Sequence, residues 1–448
     1  MSDFTYAEPA SLHGLLQRGR GLGATAALGD PRAAADLVYA CAVTDTRWDR
    51  QTEHRSAYLA RLIHRLGLPL QPIEAHLLAF TGDDADRIEP TLRILTLLPL
   101  LGRSDAVPVL RRYAVDGRHW ALALETIAYS RAWEEVPELG AGLDAEVLAA
   151  RDDAELAAAA DGESQPWTSW ARVRPRVRRL LGDDVGTAEQ AHHRPVRADL
   201  AGVAAAELLR LVAEGPARGR QLALRELGRR GDPVVLDLAE DLELRNAAGW
   251  TPGIVQALHP LAHAAVPRAR AWADSGDEVL ERLAVEVLCG FGETEDGPYL
   301  LDALTTAVAQ GAWCATESPA RGLGRLGLAA ATEVLVSAWE STVHSRAREA
   351  ILAGLRGCAP SATADGFTEE GLHDCEPAVQ EAACAWAPDT PAARAALDAL
   401  CTDPLVPELH AQARHRLDRS RSADGVLGRE QLQRSALHRE RGESGAGA

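Results

Sequence analysis

Three stretches decide how this chain is read: LGRSDAVPVL at Leu101–Leu110, LGRRGDPVVL at Leu227–Leu236 and LGLAAATEVL at Leu326–Leu335. Each places Leu-Gly, then a short polar or small linker, then Val-Leu at a fixed offset. Leu101 to Leu227 is 126 residues and Leu227 to Leu326 is 99, near four and three units of about 32 residues, a helical-repeat period. In physical terms the Leu closes one helix on the core and the Gly supplies the left-handed residue that ends it. The linker then turns the chain and Val-Leu opens the next buried face. A looser copy, FGETEDGPYL, begins at Phe291, 35 residues before Leu326. Between these copies apolar residues recur at three and four, as in Leu92, Leu95, Thr96 and Pro99, so the chain reads as nearly all helix.

A second pattern lies on the partner helix of each unit. EPAVQEAACAW from Glu376 aligns with HSRAREAILAG from His344 at an offset of 32. Asp116 with Ala123 and Ile127, and Asp277 with Ala284 and Leu288, share a spacing of seven and eleven. That spacing puts a small residue where helices cross and an Asp where it can cap the next helix. On these residues the chain resembles HEAT-repeat proteins of the short-repeat kind also found in phycobilin lyases, over about 83–139 and 222–415, with Gln380 where the pattern has Arg. The resemblance implies an all-α, HEAT-like α-α superhelix, a right-handed solenoid of antiparallel helix pairs that shares its core between neighbours.

Five regions follow. Residues 1–80 are an N-terminal helical cap region without the repeat, marked by GRGLGA at Gly19–Ala24 and RWDRQTEHR at Arg47–Arg55. Residues 81–140 hold the first repeats. Residues 141–200 are a hinge or insertion, first acidic (Leu143–Asp161), then rich in Arg and Trp and interrupted by Pro166, Pro175 and Pro195. Residues 201–415 form the main repeat array, and 416–448 a polar tail expected to be disordered.

Net charge is −18, from 65 acids against 47 basic residues, all of them arginine. A protein that coats nucleic acid over its whole surface carries the opposite sign. The charge is uneven: residues 231–408 hold 10 Arg and 28 acids, while 167–230 hold 13 Arg and 7 acids. The absence of lysine excludes a P-loop or Schiff-base lysine, and neither nucleophile-elbow nor kinase signatures occur. Seven cysteines, an odd number with no Cys-x-x-Cys pair, argue against a disulfide framework or zinc ribbon. With no signal-like N-terminus and no apolar run beyond Ile94–Leu101, a cytoplasmic, reduced protein with no membrane segment is expected.

The strongest local constellation is Trp167, Trp170, Arg172, Arg174, Arg176, Arg178 and Arg179. Arginine forks beside aromatics suit phosphates and stacked bases. The same forks can instead be neutralised by the acidic stretch just before them, and this intramolecular role is the favoured one. Gly19, Gly21 and Gly23 lack the GxGxxG spacing and preceding strand of a dinucleotide loop and read as a helix connection. No His is followed directly by Glu, so the dyads of HEAT-repeat di-iron hydroxylases are missing. His192–His193 and His373 with Cys375 are the remaining ligand candidates, with surface or structural roles the default.

The expectation is therefore a non-catalytic scaffold or adaptor with no cofactor and no metal. It would bind another macromolecule, above all a protein, and its acidic array would prefer a basic partner in a salt-dependent way. One alternative is a nucleic-acid-binding or DNA-repair solenoid resembling the alkylpurine glycosylases, using the basic 167–230 segment. A second, a lyase-like small-molecule enzyme, rests on fold analogy alone.

Overall fold

A computed structural model describes residues 5–182, 200–246 and 251–419. About 73% is helix, and no strand occurs among the described residues. In chain order the first helices are α1 (Leu12–Arg18), α2 (Gly21–Gly29), α3 (Pro31–Val43), α4 (Ser56–Arg65), α5 (Gln71–Ala79), α6 (Glu89–Leu97), α7 (Ala106–Asp116) and α8 (Trp120–Ala128). Shorter ones follow: α9 (Arg131–Glu135), α10 (Pro137–Gly140), α11 (Leu143–Ala150), α12 (Asp153–Ala159), α13 (Trp167–Val173) and α14 (Pro175–Leu181). Then come α15 (Ala205–Glu214), α16 (Ala217–Arg229), α17 (Val234–Glu240), α18 (Ile254–Leu258), α19 (Val266–Ala273), α20 (Glu278–Phe291), α21 (Gly297–Gln310), α22 (Glu317–Leu326), α23 (Thr332–Ser341) and α24 (Ala347–Cys358). Next come α25 (Ser361–Gly371), α26 (Pro377–Trp386) and α27 (Pro391–Leu400), and residues 410–419 are helical too.

The helix boundaries follow from local chemistry. Ser11 caps α1 by accepting from the Gly14 amide, and Asp152 with Glu155 forms a reciprocal capping box on α12. Asp277 caps α20 through the Val279 and Leu280 amides, the role its spacing suggested. Asp116 does not act this way: it closes α7, and His119 precedes α8 without a side-chain cap. The buried small residues do fall where the repeat pattern placed them, with Ala123, Ala284 and Ala383 fully buried.

Two of the three Leu-Gly copies end a helix as read. Gly102 has φ +84 and Gly327 has φ +66, both left-handed. The second copy needs correction. Leu227–Gly228 lies inside α16, and the left-handed residue is Gly231, φ +70. Gly228 is small for another reason: a Cβ there would stand 2.2 Å from the Ala257 carbonyl oxygen, where α18 crosses.

The chain divides into two compact units, 1–180 with 365–448, and 181–364. Residues 365–415, read from the sequence as the end of one continuous array, thus group with the N-terminal region. In the first unit α2, α4 and α6 each touch the next even-numbered helix, with α3, α5 and α7 alongside. The C-terminal residues return to this bundle, where the Cys375 amide donates to the Gly19 carbonyl at 2.9 Å.

In the second unit α16, α18, α20, α22 and α24 form one row in which each contacts the next. The odd-numbered helices pack beside it. Glycines permit the close crossing: a Cβ on Gly354 would stand 2.7 Å from the Ala320 carbonyl, and one on Gly322 2.7 Å from the Cys289 Cα.

Candidate functional site

The tryptophans of the basic segment are folded inward, while its arginines lie at or near the surface. Trp167 and Trp170 are buried, at 4% and 5% exposure. Their rings meet edge to face at 5.4 Å, and Trp167 meets Trp120 the same way at 6.1 Å. These indoles are core, with no face open for a stacked base. Arg174 pairs with Asp144, whose carboxyl the guanidinium's hydrogen bond holds below the usual range. Arg176 pairs with Asp153 at 2.6 Å and donates to the carbonyls of Leu148 and Arg151. Arg178 donates to the carbonyls of Ala171 and Arg172, at 3.0 and 2.8 Å. Arg172, Arg178 and Arg179 are exposed. The acidic stretch before the arginines therefore takes the forks of Arg174 and Arg176, and backbone carbonyls take that of Arg178.

His192 and His193, and residues 420–448 of the tail expected at 416–448, lie outside the described residues; residues 416–419 correct that expectation, since they are helical and Leu417 is buried. Among the described residues no group of three His, Cys, Asp or Glu is placed to hold a metal ion. His373 and Cys375 have separate surroundings. Burial, then the charges of Arg65 and Arg61, push the His373 imidazole below its ordinary pKa.

Cys375 belongs to a buried junction that no local pattern announced. It lies at 2% exposure with Glu53, Arg55 and Glu376 at 3% each. The Arg55 Nη1 donates to the Cys375 Sγ at 2.8 Å, and the His54 amide donates to Glu376 at 2.9 Å. Burial works against the Arg55 charge, but Cys375, Glu53 and Glu376 outweigh it and raise the guanidinium pKa above normal. Beside this cluster Arg20 grips Glu370, and Gly19, φ +65, ends α1 where a side chain would strike the Cys375 sulfur. GRGLGA and RWDRQTEHR, the two distinctive features of the first 80 residues, are thus the faces that receive 370–376. Charge runs are usually solvated; here Glu53 and Arg55 of one are buried, beside partners that arrive from the other end of the chain.

In the second unit acids of three elements converge on one phenol. Tyr299, on α21, donates to the Glu281 carbonyl at 3.0 Å. Burial first, then the charges of Glu281, Asp274 and Asp302, push its pKa up to about 12. Asp274 and Asp302 are exposed and Glu281 half-buried. None of the three forms an ion pair among the described residues, although Asp296, Asp277 and Glu240 nearby are each held by arginine. A patch of unneutralised carboxylates on a packed helical surface attracts cations over a Debye length and steers basic groups toward it.

The chain matches no family model, no curated protein and no solved structure. No helix among the described residues is long and apolar enough to cross a membrane.

Proposed function

We propose that this protein is a non-catalytic helical-repeat scaffold of the HEAT-like, right-handed superhelical kind, which binds a basic protein partner through its acidic second unit. The row α16 to α24, with next-but-one helix contacts and glycine-tight crossings, supports the repeat reading. The observation that carries the functional reading is the set of unpaired carboxylates around Tyr299. In an array that engages most of its arginines in internal ion pairs and hydrogen bonds to carbonyls, these acids are left for an external cation. Lys- and Arg-rich segments of a partner match them in sign, and the association depends on salt.

The test is affinity capture from native cytosol, with and without nuclease, by wild type and by an Asp274→Asn/Glu281→Gln/Asp302→Asn variant. The reading expects a nuclease-resistant protein partner that wild type retains at low salt. High salt and the triple variant should each release it. Capture that vanishes with nuclease overturns the reading, as does a turnover that survives purification and is lost on a point mutation.

A further inference from the structure

Within the first unit a pocket of about 70 Å³ lies between α2, α4, α26, α27 and the turn at Leu372–His373. One water needs roughly 10–15 Å³, so the space exceeds a single bridging water. Leucine and alanine side chains of α2, α4 and α27 form its floor, and Arg61, Arg65, His373, Gln380 and Asp403 supply its polar edge.

Two polar atoms here have unmet hydrogen-bonding capacity among the described residues. Gln380 is 2% exposed, and its Oε1 accepts from nothing. Arg61 pairs with Asp403 through its Nε, while its buried Nη2 donates to nothing. Leaving a buried polar atom unmet is costly, which makes two around one pocket a reason to look for what meets them. Gln380 is also the residue that departs from the repeat pattern, which has Arg at that position. The helix carries a shorter neutral side chain where the pocket opens.

The charge balance narrows the ligand. Arg61 and Arg65 face the single carboxylate of Asp403, leaving one positive charge in excess, and these two arginines add to the burial that holds the His373 imidazole low. That excess suits a monoanion. The occupant must accept from a guanidinium, donate to an amide oxygen and rest a short carbon chain on an apolar floor. Inorganic phosphate has no apolar part. An amino acid would bring an ammonium toward two guanidiniums, with the one carboxylate already engaged.

We propose that this pocket binds a small hydroxycarboxylate of two or three carbons, its carboxylate on the Arg61–Arg65 edge and its hydroxyl donating to Gln380 Oε1. The proposal concerns the first unit and stands independently of the acidic patch in the second.

Calorimetric titration of the full chain with glycolate, lactate, acetate, glycine and inorganic phosphate tests it. Glycolate and lactate should bind saturably and at least about tenfold more tightly than acetate, the equivalent of one hydrogen bond. Arg65→Gln, a change at an exposed residue, should weaken glycolate about tenfold. Gln380→Leu should bring glycolate down to the level of acetate, and if that variant fails to fold, the wild-type glycolate-to-acetate ratio and Arg65→Gln still decide. Equal binding of acetate and glycolate, preference for phosphate or glycine, or no saturable binding overturns the proposal. So does a crystal soaked in glycolate that shows ordered water only.

Discussion

Arg20 and Glu370, 350 residues apart in sequence, form a two-pronged ion pair with Nε and Nη2 at 2.8 and 2.9 Å from the two carboxylate oxygens. The side chains are 5% and 10% exposed, so the pair sits where desolvation is costly and geometry decides its worth. It joins the start of α2 to the end of α25, and it fixes where the chain's last helices meet its first.

Removing one partner strands the other. Arg20→Met is expected to destabilise the protein by about 3–5 kcal/mol, the usual cost of an uncompensated buried charge. Arg20→Met/Glu370→Met should recover part of that loss. Urea unfolding of the two variants checks this, and a double variant no better than the single one would show that the pair matters only through other contacts of Glu370.

The arginines of α14 are expected to divide by their contacts. Arg176→Ala removes an ion pair and two hydrogen bonds that tie α14 to α11 and α12. It should cost about 1–3 kcal/mol. Arg179→Ala, at an exposed position, should change stability by less than about 0.5 kcal/mol. Equal losses would contradict this assignment of contacts. Retention on immobilised DNA should be the same for wild type and Arg174→Ala/Arg178→Ala, since those guanidiniums are already engaged within the fold.

Helical class was legible because it is written locally. Caps, left-handed glycines and the spacing of small residues each act within one or two turns, and Asp277, Gly102, Gly327 and Ala284 all behave as their surroundings in sequence suggest. Gly228 shows the limit, since LGRRG offers two glycines and only tertiary packing against Ala257 decides which one ends the helix. The junction at Cys375 was not legible at all. Arg55 and Cys375 are 320 residues apart, and no periodicity relates positions that only the return of the chain brings together. The pocket lining was half visible: Gln380 stood out as a departure from the repeat, but its neighbours Arg61 and His373 carry no local signal that links them to it.

Glu226 sets an expected acid dependence. Hydrogen bonds from Arg229 first, then Arg230, lower its pKa from 4.5 to about 2. The folded state therefore favours the carboxylate, and below pH 4.5 the unfolded chain takes up the proton first. The stabilisation is fully present above pH 4.5 and is lost as pH falls toward 2. Urea midpoints should drop more steeply between pH 5 and about 2.5 in wild type than in Glu226→Gln. Parallel curves would remove Glu226 from the account of acid unfolding.

Two glycines in the second unit should respond to the same substitution with opposite sign. A Cβ on Gly357 of α24 would stand 1.9 Å from the Gly324 carbonyl oxygen, a backbone atom that cannot rotate away. Gly357→Ala should therefore force α22 and α24 apart and destabilise by about 1–3 kcal/mol, the range for overpacked interiors. Gly290, inside α20, has nothing within 4 Å of its added Cβ. Gly290→Ala should stabilise by about 0.5–1 kcal/mol, because alanine loses less backbone freedom in a helix. Thermal unfolding of both variants distinguishes the cases. If Gly357→Ala proves neutral, the close crossing of α22 and α24 cannot be what holds that part of the row together.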